Sequence, residues 1–578
     1  MPHVLPPPDL DSLETFIQRY PARFGIWRYG PNAAPALLTA LSILRIKQWN
    51  AHGSGADAHA KWIEESWCET AATLLDWCAR FSEDRRRVNR ITPQKHDVLS
   101  VISHAHLWQG LQEKLIAAYA GTDVYEPYGD TARFRTDRNR HRWDVQALQF
   151  RMDATARLSP RIHFPERDRR IADLGKELDR AHWGGLREER AGTLTAELGR
   201  HLASSYAPTL SGEHNLGGYT LAEGLALLGQ LTAYAYVGDR LLTLTDDSKF
   251  ALIGGPRAVL ERQPALGAGT SASVTAAFVD SLVYRTGDRV SGRLAAALER
   301  DGMVQMPAAL LLGAQAENRM LRLLAGRDPS LYGAIGRARG KGSQRFTGCL
   351  SKMPGALVAH DVKVLDSGGR VLTDVDAIAI DPATSTGLTI QVKCPIETET
   401  TRGRMKMEAE LRKGIAQSDT VAKAMAIGSR LKLPPAWPTL EGIRWSHFVG
   451  TPDTLPTSSD LWMHTARPIS AQLVEEIAAP SVQVLCEQLK EPVLPVEEFD
   501  WVVRPYRTHS GVLPIESDGQ HTRWHSHNTE VPTLARRGVP QTSVIVPCPW
   551  AGDHAEQAGM PSASALSSIA IDSDAVRY

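Results

Sequence analysis

Residues 371–393, VLTDVDAIAIDPATSTGLTIQVK, decide the fold of the C-terminal half of this chain. From Leu372 onward the residues alternate with the period of a β-strand, which puts Leu372, Asp374, Asp376, Ile378 and Ile380 on one face. The segment 381–387, DPATSTG, is rich in turn-forming residues, and the alternation then resumes over 388–394. The stretch therefore predicts two antiparallel strands joined by a turn.

Polar side chains on this predicted hairpin form a candidate site. The alternation places Asp374 and Asp376 on one face of the first strand. Gln391 and Lys393 share a face of the second strand. Aspartate is disfavoured inside strands, and these carboxylates, an amide oxygen and an ammonium suit a hard cation plus a phosphate group. A solvated strand face is the alternative interpretation of the same residues.

The order of elements around the hairpin resembles that of the PD-(D/E)XK, or restriction-endonuclease-like, nuclease superfamily. That pattern ends in apolar-(Asp/Glu/Gln)-x-Lys, which here reads IQVK at 390–393. The glutamine in place of the acidic residue is similar to the Mrr-type restriction branch. The run DVDAIAID at 374–381 resembles nuclease-related domains in which an acidic residue precedes the catalytic aspartate by two. The resemblance covers about residues 340–480.

This resemblance implies a nuclease that hydrolyses phosphodiester bonds with Mg²⁺ (or Mn²⁺) as cofactor, leaving 5′-phosphate and 3′-hydroxyl products. Asp376 matches the catalytic aspartate and would be the principal metal ligand. Gln391 would add its amide oxygen, and Val392 its backbone carbonyl. Lys393 would orient the attacking water and offset charge on the phosphate, and Asp374 is a candidate ligand for a second metal ion.

Basic residues precede the predicted nuclease core. Four of them lie close together in the sequence: Arg337, Arg339, Lys341 and Arg345. They could contact backbone phosphates, or they could form only a basic linker. The helix predicted at 343–353 carries no acidic residue, although relatives often have one there.

The elements around the hairpin complete an αβββαβ order. A strand is predicted at 357–365 and a long helix at about 404–431, and a strand at 443–449 would join the sheet in parallel through that crossover helix. On the long helix, Gln417 matches a position where relatives often carry a glutamine or a basic residue that faces the site. The sequence thus predicts Gln417 as a further nucleic-acid contact.

Charge and composition exclude several classes of protein. The 578 residues contain 65 Lys+Arg and 65 Asp+Glu, so nucleic-acid contacts must come from local basic patches. We find no apolar run long enough to span a membrane and no secretion signal at the N-terminus. The 6 cysteines include no C-x-x-C pair, which suits a reducing compartment. We therefore expect a cytoplasmic protein with no membrane partner.

The whole chain is predicted to be an α+β multidomain protein, with a large, mostly α-helical N-terminal region followed by a restriction-endonuclease-like αβββαβ domain. An irregular, arginine-rich segment at about 124–142 interrupts the helical patterns. The predicted units are an N-terminal lead (1–55), an α-helical domain for sensing, partner or nucleic-acid binding (56–330), the nuclease-like domain (331–480), a C-terminal extension (481–550) and a flexible tail (551–578).

Two functions follow from the sequence. The first is a DNA endonuclease, with RNA as the alternative substrate, acting in prokaryotic restriction or anti-phage defence. We find no phosphate-binding P-loop, so a nucleotide-driven motor or sensor would be a separate protein; oligomerisation is compatible with the sequence. The second is a catalytically degenerate nuclease-fold scaffold that binds nucleic acid or a protein partner. The missing helix acid and Gln391 favour the scaffold, whereas Asp376 and Lys393 favour the enzyme.

Overall fold

The computed structural model describes residues 6–52, 58–82, 93–119, 123–136, 185–205, 211–285, 295–312, 342–394, 401–426, 430–435, 442–451, 464–490, 501–510, 513–525 and 543–546, with the isolated positions 169, 172, 173, 176, 292, 319–321, 323, 437 and 461. The helices are α1 (Leu10–Arg19), α2 (Ala33–His52), α3 (Ala58–Phe81), α4 (Lys95–Tyr119), α5 (Gly185–Ser205), α6 (Leu221–Thr245), α7 (Arg257–Ala268), α8 (Ala272–Leu282), α9 (Ala308–Leu312), α10 (Gly342–Leu350), α11 (Thr401–Ala426), α12 (Ala471–Ile477) and α13 (Val482–Lys490). The strands are β1 (Asp123–Tyr128), β2 (Thr131–Thr136), β3 (Leu252–Pro256), β4 (Leu298–Arg300), β5 (Met303–Pro307), β6 (Leu357–Leu365), β7 (Val371–Asp381), β8 (Thr386–Val392), β9 (Arg430–Leu431), β10 (Arg444–Thr451), β11 (Arg467–Ser470), β12 (Trp501–Ser510), β13 (Leu513–His525) and β14 (Ser543–Val546). The described chain is therefore mixed α+β, with a helical N-terminal region.

The N-terminal helices pack around one apolar core, to which α2, α3, α4, α6 and α8 contribute. Helix α6 begins with a capping box, in which the side chains of Thr220 and Glu223 bind each other's backbone N–H. Reciprocal capping satisfies donors that the first helical turn leaves open. Within this core Arg45 of α2 forms an ion pair with Asp239 of α6. The pairing offsets the cost of burying either charge alone.

A five-stranded sheet combines strands from the N-terminal region with strands from the C-terminal extension. The prediction of an irregular segment at 124–142 is wrong for its first part, because β1 and β2 form a hairpin whose turn contains Gly129 at φ 59°. Phe134 of this hairpin packs in a buried cluster with Ile17 of α1 and Ile515 of β13. β13 pairs in parallel with β2, and the C-terminal extension thereby adds strands to a sheet that begins in the N-terminal region.

The third region is a six-stranded sheet in the order β11-β10-β8-β7-β6-β9. Strands β6, β7 and β8 form the predicted antiparallel meander, and β10 pairs in parallel with β8 after α11. The predicted parallel strand at 443–449 is therefore confirmed as β10, which runs from Arg444 to Thr451. Helix α12 begins at Ala471, because the residues directly before it form β11 at the sheet edge.

Apolar clusters cover both faces of this sheet. On one face α10, α12 and α13 pack against Ala377 and Phe448. On the other face Val421 of α11 packs against Ile378. The first cluster extends through Leu489, beyond the boundary predicted at 480. Helix α11 therefore lies over the face toward which the polar residues of the candidate site were predicted to point.

Of the helices in the described ranges, none combines the length and apolar character needed to cross a bilayer. Five cysteines fall within these ranges, and none of them forms a disulfide bond with another described residue: Cys68, Cys78, Cys349, Cys394 and Cys486.

Candidate functional site

Strands β7 and β8 separate at the predicted site. Their ladder runs from the pair Asp381–Thr386 to the pair Ala377–Ile390 and ends there. Beyond that point β7 continues alongside β6, while β8 continues alongside β10. The result is a gap between two neighbouring strands, which we call the fork. Its residues are Asp374, Asp376, Gln391, Val392 and Lys393.

Asp376 crosses the fork through one oxygen. Its Oδ2 accepts a hydrogen bond of 2.6 Å from the backbone N–H of Val392, so a side chain takes the place of a ladder bond. No described residue donates to Oδ1. Burial raises the pKa of this half-buried carboxyl, while the Val392 N–H and the Lys393 ammonium offset part of that rise. One carboxylate oxygen is thus fixed and the other is open.

Gln391 also crosses the fork, and its amide orientation is determined by its partner. The side chain is 2% exposed and Nε2 donates to the backbone carbonyl of Asp374 at 2.5 Å. A carbonyl can only accept, so the nitrogen must face Asp374 and Oε1 must face away from it. No described residue donates to that oxygen. The amide oxygen is therefore presented as an open acceptor, as a metal ligand would be.

The backbone of Val392 faces the same gap. The next residue, Lys393, donates its N–H to the carbonyl of Gly450 in β10 at 2.8 Å. The N–H of Val392 points the other way, toward Asp376. In an extended strand the N–H and C=O of one residue point to the same side, so the Val392 carbonyl also faces the fork.

The Lys393 side chain reaches helix α11. Its Nζ donates to Oε1 of Gln417 at 2.5 Å, so the structure brings together two residues that lie far apart in the sequence. Gly414 of α11 lies against the stem of this lysine. The lysine therefore stands at the mouth of the fork with a neutral amide as its acceptor.

Asp374 has a partner that the sequence analysis missed. Its Oδ2 accepts a 2.9 Å hydrogen bond from Nζ of Lys363, the residue opposite it on β6. The pair is partly exposed, at 43% for the lysine and 49% for the aspartate, and its hydrogen bond raises the pKa of Lys363. The carboxylate proposed for a second metal ion is thus tied to a lysine. A signal for Lys363 was present in the sequence, because it is a charged residue inside the strand predicted at 357–365. A charged residue inside a predicted strand was also the reason for choosing Asp374.

A second missed residue is Asp361 on β6. The ladder pairs His360 with Ala377 and Val362 with Val375, so the same register places Asp361 opposite Asp376. Asp361 has φ 53°, a left-handed conformation that departs from the extended backbone of β6 at this point. Its charge contributes to the raised pKa of Asp376. The strand irregularity and the fork therefore coincide.

The predicted basic contacts are only partly described. Arg337, Arg339 and Lys341 lie outside the described residues. Arg345, on α10, binds Glu475 of α12 through Nε at 3.1 Å and through a second nitrogen at 2.9 Å. This guanidinium therefore has a carboxylate partner within the protein.

The described residues contain no group of three or more His, Cys, Asp or Glu side chains arranged to hold a metal ion. A metal in the fork would rely on one carboxylate with neutral oxygens. A scan of protein-family models and searches of curated proteins and of solved structures each gave no match.

Proposed function

We propose that this chain is a metal-dependent nuclease that hydrolyses phosphodiester bonds in DNA, and that the fork is its active site. The observation that carries the proposal is the convergence of Asp376, Gln391 and Lys393 where β7 and β8 separate. Two hydrogen bonds across the fork fix the carboxylate and the amide. The resemblance to the PD-(D/E)XK superfamily assigns the same three positions.

The oxygen atoms of the fork fit Mg²⁺ or Mn²⁺. Asp376 offers Oδ1, Gln391 offers Oε1 and Val392 offers its carbonyl. Mg²⁺ takes hard oxygen ligands and keeps several waters, so one or two carboxylates with neutral oxygens suffice. When bound there, the ion would act as a Lewis acid on the phosphate and lower the pKa of its water.

The remaining chemistry falls to the lysine. The Lys393 ammonium is held by a neutral amide and not by a carboxylate, so its partner carries no charge that would oppose its action on the negative charge developing on the phosphate. It would also orient the attacking water. Asp374, which Lys363 holds, is better suited to fixing Gln391 through its backbone carbonyl than to binding a second ion.

We place this activity in prokaryotic restriction or anti-phage defence, in the cytoplasm, by analogy with the Mrr-type branch. The helical N-terminal region would then sense a signal or bind a partner, such as a separate NTPase. RNA is the alternative substrate.

The second candidate function is a degenerate nuclease-fold scaffold that binds nucleic acid or protein without cutting. The lack of a three-residue His/Cys/Asp/Glu group among the described residues favours it. So does the lysine partner of Asp374.

Cleavage assays separate the two functions. The purified full-length chain is incubated with plasmid, single-stranded DNA and RNA, with Mg²⁺ or Mn²⁺ and with EDTA. We expect metal-dependent cleavage of DNA that falls on the order of 10³-fold in Asp376→Asn and Lys393→Ala, since each removes a group that acts on the transition state. Thermal unfolding should show that both variants stay folded.

Asp366→Asn is the matched control. Asp366 lies in the turn between β6 and β7, where its Oδ1 accepts from the backbone N–H of Arg370 at 2.8 Å, a bond that asparagine can also accept. Full activity is expected. No cleavage by the wild type, or equal cleavage by Asp376→Asn and the wild type, would leave the scaffold as the better assignment.

A further inference from the structure

Opposite charges stand close together in the fork without pairing. Lys393 directly follows Val392, whose backbone N–H binds Asp376. Its ammonium lowers the pKa of that carboxyl, yet no ion pair within 4.0 Å joins the two side chains in this described part of the chain. The Nζ donates to Gln417 instead, at 2.5 Å. A lysine beside an accessible carboxylate would normally form an ion pair with it, so something must hold this ammonium aside.

Helix α11 contacts the Lys393 side chain along its aliphatic stem and at its ammonium group. A Cβ atom on Gly414 would lie 3.1 Å from Cγ and 3.2 Å from Cε of Lys393, so the stem of the lysine lies flat against the helix there. Positions three apart are neighbours on one helix face. The stem passing Gly414 therefore leads directly to Gln417.

We propose that Gln417 is a positioning residue that holds the Lys393 ammonium away from Asp376, so that the carboxylate stays open to a divalent cation. This inference rests on the proposed function, because it says what keeps the principal metal ligand available. An amide oxygen suits the task, since it orients the ammonium by a hydrogen bond without cancelling its charge. In the absence of Gln417, the lysine turns to Asp376 and competes with the metal for the same oxygen.

The test combines a crystal structure with Mg²⁺ titration by calorimetry, in the absence of nucleic acid. In Gln417→Ala, the Lys393 Nζ is expected within 4 Å of the Asp376 carboxylate. Mg²⁺ affinity is expected to fall about fivefold, the effect of one exposed ion pair that must be broken first. In Gln417→Glu the ammonium stays on α11, because the new side chain still offers an acceptor.

A double variant separates positioning from damage to the helix. Adding Lys393→Ala to Gln417→Ala removes the competing ammonium, so Mg²⁺ affinity should return at least to the wild-type value. Distortion of α11 would not be repaired by losing the lysine. Lys413→Ala serves as the matched control, since Lys413 is an exposed lysine of the same helix that pairs with Glu410 at 2.6 Å; its Mg²⁺ affinity should match the wild type.

A lysine that keeps its place in Gln417→Ala overturns this proposal, as does weakened binding that persists in the double variant. A wild-type protein that binds Mg²⁺ with these responses but cuts no nucleic acid overturns the proposed function alone. A wild type that binds neither Mg²⁺ nor Mn²⁺ overturns both.

Discussion

Titratable side chains are buried in two regions of this molecule, in different ways. In the helical region, His104 and His106 of α4 are each 7% exposed. The His104 ring lies among aromatic rings, with centroids 5.2 Å from both Tyr20 and Phe24. In the fork, Asp376 is only half-buried, and one of its oxygens is open. Burial shifts the pKa in both regions, but only the fork leaves a charged group accessible, so burial by itself does not mark a functional site.

Of the predicted effects, the largest should be the loss of folding stability on acidification, and this loss should occur in the helical region. Burial lowers the pKa of His104 and of His106 to about 4, against about 6.5 in an unfolded chain. The unfolded state therefore binds more protons between these values, and stability that is present above pH 6.5 is lost as the pH falls through 4. A shift of this size corresponds to about 3 kcal/mol for each histidine. Hydrogen exchange in α4 at pH 7 and pH 4.5, corrected for intrinsic rates, measures the loss.

Histidine variants sharpen that test. His104→Phe keeps an aromatic ring in the aromatic cluster and removes the titrating nitrogen, so about half of the pH dependence should disappear. His96, exposed near the start of the same helix, is the control, and His96→Gln should leave the dependence unchanged. If α4 loses protection equally in His104→Phe and in the wild type, His104 does not contribute to the acid sensitivity.

Gln391→Glu tests the second of the two regions, the fork, through its Mg²⁺ affinity and its stability. The added negative charge should tighten Mg²⁺ binding by about tenfold, because the glutamine leaves the site with one anionic ligand fewer. The change should also cost about 1–3 kcal/mol of stability, since a carboxylate cannot donate to the Asp374 carbonyl as Nε2 does. Calorimetric titration and thermal unfolding measure the two effects.

The control for this change is Gln94→Glu, which adds the same charge at an exposed position before α4. It should leave Mg²⁺ affinity unchanged and should not lower stability, since a negative charge at the start of a helix is favourable. Tighter Mg²⁺ binding by the wild type than by Gln391→Glu would contradict the idea that the amide weakens the site.

Local signals in the sequence were enough for the strands that carry the site. The strand predicted at 357–365 is β6, Leu357–Leu365, and the glycines at 368 and 369 that suit the turn after it are a property of neighbouring residues. The end of the β7–β8 ladder at Ala377–Ile390 was not predictable in this way. It depends on a side chain replacing a backbone acceptor, which no period reveals.

Contacts between elements that are distant in the sequence could not be predicted from local patterns either. The Lys363–Asp374 pair follows from the register of β6 on β7, and the Lys393–Gln417 bond follows from how α11 crosses the sheet. The predicted resemblance to the nuclease superfamily pointed to Gln417 but not to its partner. The hairpin β1–β2 was missed because the apolar cluster around its Phe134 is completed by Ile17 of α1 and Ile515 of β13, which lie far from it in the sequence.

Substitution of Arg345 should have the smallest effect of all on DNA affinity. It tests whether a charged side chain that is paired within the protein is excluded from binding nucleic acid. Its guanidinium makes two hydrogen bonds to Glu475, so its charge is cancelled locally. Arg345→Ala should therefore lower DNA affinity by less than about twofold and cost under about 1 kcal/mol of stability, as partly exposed ion pairs do.

Lys393→Ala, which removes a charge held by a neutral amide, should reduce the salt dependence of DNA binding by about one phosphate contact. Fluorescence anisotropy over a range of salt concentrations, with EDTA, measures both slopes. If Arg345→Ala reduced the slope as much as Lys393→Ala, the carboxylate partner would not keep Arg345 from the nucleic acid, and pairing inside the protein would cease to distinguish the two kinds of charge.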